Sequence, residues 1–223
     1  MKAAVALLMA PVVAHAGTTF EGHEAFYATL PDTLFHGPGV ELQPHARVVD
    51  EHLHYAWRGV VAGRRQALEL RNGAVTLNGR VLSRRRVHAF PGETVDRQDL
   101  GMGSVAHFAP GWLCVEGTPA SASGSAGRHR AVYLIRRGKR TDDAWRLPSL
   151  FGHCASIRLT RQQILVLQAT YRYAEGQDMA TGLTLHEFAL VQGTFKPTGA
   201  TVSLVFPEPG NVYKLKLDEA VDR

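Results

Sequence analysis

The sequence predicts an all-β, mainly antiparallel fold: a single-domain β-sandwich or barrel built from hairpin meanders, with room for one short N-terminal helix. Apolar and polar residues alternate with a period of two in several short runs, and Asn-Gly pairs separate some of these runs. Strand-like runs recur about every 10–15 residues without intervening helical patterns. This spacing favours an antiparallel sandwich or barrel over an architecture that alternates helices and strands.

The first sixteen residues have the pattern of a cleavable secretory signal. Lys2 precedes an apolar stretch at positions 3–13, and Ala-His-Ala at positions 14–16 is a sequence that signal peptidases accept. The apolar stretch is shorter than the about 20 residues that span a bilayer. We therefore predict a mature β-rich domain at 17–223 without a transmembrane segment. The Arg-rich composition and the short signal favour a periplasmic or secreted bacterial protein.

The strand predictions begin after a short amino-terminal region. Residues 17–30 fit a short helix with a threonine cap at position 18 or 19, and Pro31 would end it. Residues 32–44 are rich in Pro and Gly and predict a loop. Alternation then predicts a half-buried strand within residues 50–58.

Residues 68–82 give the clearest local signal. Asn-Gly pairs at 72–73 and 78–79 separate three short apolar runs. Asn-Gly supplies the positive φ angles that a two-residue hairpin turn requires, so the segment predicts a three-stranded meander. Further strands are predicted at 105–115 (broken at Pro110-Gly111), 131–137, 150–159, 183–191, 202–206 and 212–217, with turns at 198–199 and 209–211 and a flexible loop at 118–127.

Residues 161–173 fit two structures. Thr160 and Gln163 have the spacing of a capping box, which favours a helix. Against this, five larger or apolar residues alternate with the residues between them, and this period of two favours a strand. The five are Leu165, Leu167, Ala169, Tyr171 and Tyr173. A strand is the preferred prediction, and a helix remains the alternative.

The chain contains two cysteines, Cys114 and Cys154. An even pair without metal-ligand spacing favours a disulfide in an oxidising compartment. The bond would close a loop of about 41 residues, for which chain entropy corresponds to about 4 kcal/mol of stabilisation. Two buried free thiols are the alternative if the chain is not exported.

His52 and His54 are the candidate metal ligands. Two histidines in a His-x-His pair on a strand project the same way, a geometry that suits Zn²⁺ or Cu²⁺. Further ligands would have to come from His88, His107 or His153. The same alternation also places His52 and His54 on the solvent face, so a solvated strand surface is the favoured interpretation. We predict no metal and no cofactor.

The sequence contains no motif that predicts an enzyme. The nearest to a nucleophile motif is Ser104 with His107 three residues later, but the Gly-x-Ser-x-Gly pattern is missing. The closely spaced carboxylate pairs lie in polar, turn-like stretches, and the sequence has no P-loop or dinucleotide-binding glycine pattern. We therefore favour a non-enzymatic function.

A basic run is the candidate binding feature. Six cationic residues fall within thirteen positions: Arg128, Arg130, Arg136, Arg137, Lys139 and Arg140. They are either a solvated surface or a patch that attracts an acidic partner protein, an anionic glycan or an anionic lipid surface. A formal net charge of +5 is too small to predict nucleic-acid binding.

The combined features predict a periplasmic or secreted binding protein whose partner is another envelope protein. It would act as an inhibitor or immunity protein, or as an envelope assembly component. The alternatives are an envelope hydrolase acting on glycan or ester and a lipocalin-like ligand carrier. A pocket that gathers histidines and carboxylates would favour the hydrolase, and a hollow apolar interior the carrier. A flat exposed apolar patch rimmed by arginine would favour the binding protein.

Overall fold

A computed structural model describes residues 17–44, 54–71, 74–82, 87–95, 103–117, 124–138, 142–161 and 163–218. The predicted signal segment and His52 lie outside these ranges. None of the helices in the described ranges is long and apolar enough to cross a membrane.

The all-β prediction is confirmed, because strands dominate the described residues and the one α-helix is short. The elements are β1 (Thr19–Glu21), α1 (His23–Tyr27), β2 (Val40–Glu41), β3 (Gln43–Pro44), β4 (His54–Val61), β5 (Arg64–Arg71), β6 (Ala74–Leu77), β7 (Arg80–Leu82), β8 (Val87–Ala89), β9 (Gly103–Ala109), β10 (Trp112–Gly117), β11 (Ala131–Arg136), β12 (Asp143–Arg146), β13 (Arg158–Thr160), β14 (Gln163–Tyr173), β15 (Ala180–Val191), β16 (Thr194–Val205) and β17 (Lys214–Leu217). Two 3₁₀ helices, Gly124–Arg128 and Cys154–Ser156, connect strands.

The strands form three open sheets. The amino-terminal sheet has the order β3-β4-β5-β6-β7, the middle sheet β2-β9-β10-β11-β12-β8, and the carboxy-terminal sheet β1-β17-β16-β15-β14-β13. Neighbouring strands in the described sheets run antiparallel, except that β8 runs parallel to β12. The arrangement is a layered sandwich.

The middle sheet is buried on both faces. In β10, Leu113 and Val115 pack with residues of the amino-terminal sheet, whereas Cys114 packs with residues of the carboxy-terminal sheet. β11 begins with five consecutive buried apolar residues at 131–135. A strand covered on both faces requires such an unbroken apolar run, because side chains on each face contact a different layer.

Helix α1 packs on the carboxy-terminal sheet. Phe26 and Tyr27 share a buried cluster with Leu183, Leu185 and other residues of that sheet. The Tyr27 hydroxyl donates a hydrogen bond to the Phe151 carbonyl oxygen at 3.2 Å. These contacts bring the start of the helix next to the segment that carries the second cysteine.

Two local sequence predictions are confirmed. Residues Gln163–Tyr173 form a strand rather than a helix. Asn78 and Gly79 have φ angles of 53° and 78°, as a two-residue hairpin turn requires. Residues 72 and 73 lie outside the described residues, although Arg71 and Ala74 on either side of them pair directly.

The predicted turn at 198–199 is wrong. The chain reverses at Gln192-Gly193, and residues 198–200 lie inside β16, where its register with β15 shifts. Gly199 has a φ of 89° in this bulge. Glycine permits positive φ in both turns and bulges, so its presence alone does not distinguish them.

Four other boundaries differ from the predictions. The helix predicted over 17–30 spans only His23–Tyr27 and follows a strand, and two short strands interrupt the predicted loop at 32–44. The predicted loop at 118–127 ends in a 3₁₀ helix, and the predicted strand at 150–159 contains one. Local propensity is weak in these segments, and tertiary contacts decide their conformation.

Candidate functional site

A buried carboxylate lies at the end of the middle sheet. Glu116 in β10 is 3% exposed. Strand alternation places its side chain on the same face as Cys114, toward the carboxy-terminal sheet. An ionisable group in this position requires compensating partners, because an isolated buried charge is strongly unfavourable.

Four neighbouring groups surround the Glu116 carboxylate. Its Oε2 accepts a hydrogen bond from the Cys154 backbone N–H at 2.8 Å. Its Oε1 lies 3.3 Å from His153 Nε2, 3.7 Å from His107 Nε2 and 3.7 Å from Arg130 Nη1. A backbone donor and a guanidinium therefore stabilise the charge from different sides.

A second carboxylate, that of Glu24, lies on the solvent side of these groups. Oε1 of the half-exposed Glu24 in α1 lies 2.8 Å from Arg130 Nη2 and 3.6 Å from His153 Nε2. The His23 ring lies 6.2 Å from the His153 ring. We call this set the Glu116 centre; its members are His23, Glu24, His107, Glu116, Arg130 and His153.

Strand register explains how distant residues reach the Glu116 centre. His107 in β9 pairs with Cys114, which makes it a diagonal neighbour of Glu116 on the same face. Arg130 directly precedes β11, whose Val132 pairs with Glu116. A Cβ at Gly39 would lie 2.6 Å from His107 Nε2, so only glycine allows the backbone to pass so close to the imidazole.

The electrostatics of the Glu116 centre favour an ionised Glu116 carboxylate beside neutral His23 and His153 imidazoles. Burial acts to raise the pKa of Glu116, but the neighbouring His107 and His153 imidazoles and the Cys154 N–H lower the pKa overall. Burial lowers the pKa of His153 despite the two carboxylates. Burial, followed by the charge of Arg130, lowers the pKa of His23 to about 4. Near neutral pH, Arg130 is therefore the permanent counter-charge of Glu116.

The tautomer of His153 follows from its backbone contact. The Ala155 backbone N–H donates to His153 Nδ1 at 3.0 Å, so Nδ1 carries the lone pair. The proton of the neutral ring is then on Nε2, which faces Glu116 Oε1. Because Nε2 acts as a donor, it offers no lone pair to a metal ion.

The Glu116 centre does not have the donors of a metal site. His107, Glu116 and Cys154 bring their ligand atoms within 4.8 Å of one another. However, the Cys154 sulfur is in a disulfide and is not a thiolate. Two donors of that group remain, His107 and Glu116, fewer than the three or four that zinc takes from a protein, and the Arg130 cation lies beside them.

A serine hydrolase needs a hydroxyl group that hydrogen-bonds to an imidazole. Within the described part of the chain, no hydroxyl group hydrogen-bonds to the imidazole of His107 or His153. Arg130 and His153 lie between the two carboxylates, where a glycosidase would hold the scissile bond in an open cleft. The arrangement is a closed charge network joining α1, the middle sheet and the disulfide segment.

The predicted disulfide is present. Cys114 and Cys154 are bonded, and their Cα atoms are 5.9 Å apart. Both residues are fully buried. The bond joins the centre of β10 to the 3₁₀ helix next to His153, so it also determines where that imidazole lies.

The candidate metal-ligand histidines occupy separate places. His54 lies 4.0 Å from Glu69 on the adjacent strand. His88 and His107 lie at opposite ends of one row across the middle sheet, four strands apart or about 19 Å, so they cannot share an ion. Among the candidate histidines that the structure describes, only His107 and His153 come together, with rings 6.1 Å apart.

The predicted basic run is divided by strand β11. Arg128 and Arg130 precede the strand, whereas Arg136 and Arg137 lie at its other end, about 20 Å away. Arg136 pairs with Asp143 at 2.7 Å, and Arg137 is exposed. Lys139 and Arg140 lie outside the described residues.

Arg128 belongs to an aromatic surface that the sequence interpretation missed. Its Nη1 donates to the Tyr171 hydroxyl at 3.0 Å, and this hydrogen bond raises the pKa of Arg128. Tyr173 is 57% exposed and Tyr213 is 46% exposed. We call this group, Arg128, Tyr171, Tyr173 and Tyr213, the tyrosine surface.

A single buried ring supports the tyrosine surface. Phe151 lies 6.1 Å from the Tyr171 ring and 6.4 Å from the Tyr213 ring, and Tyr171 lies 6.3 Å from Tyr173. Alternation along 165–173 already placed Tyr171 and Tyr173 on one strand face. Their approach to Arg128 and Tyr213 depends on packing between distant segments.

In comparisons with known proteins, no family model matches the chain, and neither a curated protein nor a solved structure matches it significantly.

Proposed function

We propose that this chain is a non-enzymatic binding protein of the bacterial envelope and that it docks another protein through the tyrosine surface. The observation that carries the proposal is the exposure of Tyr173 and Tyr213 around a hydrogen-bonded Arg128. Tyrosine and arginine are enriched where protein interfaces contribute most to affinity, since they bury large areas and retain polar contacts. The predicted signal segment and the disulfide support an oxidising location.

The tyrosine surface is ordered before a partner arrives. Arg128 is held by Tyr171, and two tyrosine rings contact Phe151. Side chains held in this way lose little conformational entropy on binding, which favours affinity.

The geometry gives less support to the two alternative functions, an envelope hydrolase and a lipocalin-like ligand carrier. The Glu116 centre gathers the histidines and carboxylates expected of a hydrolase, but its main carboxylate is buried and its groups compensate one another. For a ligand carrier, the three apolar clusters are packed layers between elements rather than a hollow interior.

Site-specific photo-crosslinking in the envelope tests the proposal. A benzophenone amino acid at position 173 should crosslink one protein in stoichiometric yield. The same group at Val81, which is similarly exposed on the amino-terminal sheet, serves as the control. The Y213A substitution should reduce the crosslink from position 173 by about tenfold, since an interface tyrosine contributes more than 1 kcal/mol. Equal crosslinking from both positions, or none from position 173, would reject the tyrosine surface.

A further inference from the structure

A groove lies on the hairpin formed by β4 and β5, at one end of the amino-terminal sheet. Its volume is about 510 Å³. The residues that line it are Arg58, Gly59, Val60, Arg65, Gln66, Ala67 and Asn78. Neither the Glu116 centre nor the tyrosine surface contributes a residue to it.

Strand register places the side chains of two arginines that line the groove on the same face of the hairpin. Arg58 pairs with Ala67, and Val60 pairs with Arg65, so Arg58 and Arg65 are diagonal neighbours on the outer sheet face. Diagonal residues on adjacent strands have Cβ atoms about 7 Å apart, within reach of one small anion for arginine side chains. Val60 lies on the same face, 65% exposed, and supplies apolar surface beside the cations.

Within the described residues, the two cations have no carboxylate partner. Among the described carboxylates, none lies within salt-bridge distance of Arg58 or Arg65. By contrast, Arg136 pairs with Asp143 and Arg172 pairs with Asp218. Two unpaired arginines at neighbouring positions repel each other unless an anion lies between them.

The wall of the groove is held in place by the turn after β6. Asn78 Oδ1 accepts from the Ala67 backbone N–H at 2.8 Å, and its Nδ2 donates to Gln66 Oε1 at 2.6 Å. The Asn78 N–H donates to the Ala67 carbonyl oxygen at 2.8 Å. The groove is therefore formed before a ligand enters, with only the arginine side chains left to be ordered.

We infer that this groove binds a phosphate group through Arg58 and Arg65. A guanidinium presents paired N–H donors that match the oxygens of a phosphate, and two of them compensate its two negative charges. Val60 and Ala67 then contact the apolar part of the molecule that carries the phosphate. The ligand class is a phosphate ester, supplied either as a soluble molecule or as a lipid headgroup.

Titration monitored by amide NMR at constant ionic strength tests this inference. Inorganic phosphate and n-butyl phosphate should each produce saturable shifts confined to residues 58–67 and Asn78, with tighter binding of the butyl ester. R58A and R65A should each weaken binding of n-butyl phosphate by about tenfold, as expected for a charge-assisted contact. R64A is the matched control, because Arg64 pairs with Val61 and projects from the other strand face.

Vesicles containing phosphatidic acid, a lipid whose headgroup is a phosphate monoester, distinguish the two sources of the phosphate. Wild-type protein that sediments with these vesicles, in a manner that R65A abolishes and R64A does not, indicates a lipid headgroup. Binding of n-butyl phosphate without vesicle binding indicates a soluble ester. Chemical shifts that do not saturate would overturn the proposed site, as would an equal loss of affinity for n-butyl phosphate in R64A and R65A. Either result would indicate nonspecific electrostatic attraction. Unchanged spectra outside the hairpin confirm that each variant is folded.

Discussion

At the scale of single residues, the three carboxylates buried in the described structure each lie near an arginine: Asp142 lies near Arg80, and Glu116 and Glu187 have their own partners. Glu116 faces Arg130, and Glu187 pairs with Arg158 while its Oε1 accepts a hydrogen bond from the Thr198 hydroxyl at 2.9 Å. Removing one member of such a pair leaves the other charge in a low-dielectric environment, which is strongly destabilising. The two carboxylates of the Glu116 centre should therefore differ sharply in their contribution to stability.

The E116Q substitution should reduce the free energy of unfolding by about 2 kcal/mol, since it removes the buried charge that accepts the Cys154 N–H and leaves Arg130 with Glu24 as its counter-charge. E24Q should reduce it by less than about 1 kcal/mol, because Glu24 is half-exposed and solvent screens its charge. Urea unfolding of both variants at pH 7 measures the difference. Equal losses in the two variants would contradict the central role assigned to Glu116.

Stability should fall between pH 6.5 and about pH 4 because of His23. The pKa of His23 is lowered from 6.5 to about 4 in the folded protein. Below pH 6.5 the imidazole is therefore protonated in the unfolded chain but stays neutral in the folded protein. The loss should approach about 3 kcal/mol at pH 4 and be absent above pH 7. The lowered pKa of Glu116 acts in the same direction.

The H23F variant tests this pH dependence, since the His23 ring packs between the Tyr27 and Phe151 rings and phenylalanine keeps the aromatic contacts. Its unfolding free energy should vary less with pH than that of the wild type over this window. H129Q, which removes an exposed imidazole, is the control. An unchanged pH slope in H23F would show that other groups cause the acid sensitivity.

At the scale of elements, strands β15 and β16 form the longest hairpin, and its two ends are held differently. At the turn, the Gly193 carbonyl oxygen accepts a hydrogen bond from Trp145 Nε1 at 2.8 Å, which ties the hairpin to the middle sheet. At the open end, Gly182 pairs with Val205, and a Cβ at Gly182 would overlap the Leu204 carbonyl oxygen. Glycine is required there by the close approach of two backbones.

The G182A substitution should therefore destabilise the protein by about 2 kcal/mol, because the added methyl group forces the strands apart. G127A is the control, since a Cβ at Gly127 meets no atom within 4 Å and its backbone is not in the left-handed region. Thermal unfolding of the two variants measures the contrast. Similar melting temperatures for G182A and the wild type would show that the strands accommodate the methyl group.

At the scale of the whole molecule, the layers are held together by the middle sheet and by the disulfide. The bond between Cys114 and Cys154 connects residues 40 positions apart in the sequence. It joins the strand that carries Glu116 to the segment that carries His153. Loss of the bond should affect both stability and the Glu116 centre.

The C114A/C154A variant should lose about 4 kcal/mol of stability, because the unfolded chain regains the entropy that the closed loop removes. The single variant C114A also lacks the disulfide but keeps the Cys154 side chain. It is the control that separates loss of the disulfide from loss of the second cysteine side chain. Urea unfolding of the oxidised wild type and both variants provides the comparison. A wild type whose unfolding midpoint is unaffected by a reductant would argue against a stabilising bond.

The sequence by itself determined the all-β class, the strand over Gln163–Tyr173, the turn at Asn78-Gly79 and the pairing of the two cysteines. These features depend on local periodicity, on the φ preference of a turn dipeptide, or on there being only one possible partner. The misplaced turn at Gly199 shows the limit of local information, because one residue preference serves both a turn and a bulge.

Only the tertiary structure decided the layering of the sheets, the Glu116 centre and the tyrosine surface. Glu116, Arg130 and His153 are far apart in the sequence, and strand pairing, strand register and the disulfide segment bring them together. Likewise, Tyr171 and Tyr213 meet Arg128 because three distant segments pack on Phe151. Contacts of this kind depend on which strands become neighbours, and local periodicity contains no information about that choice.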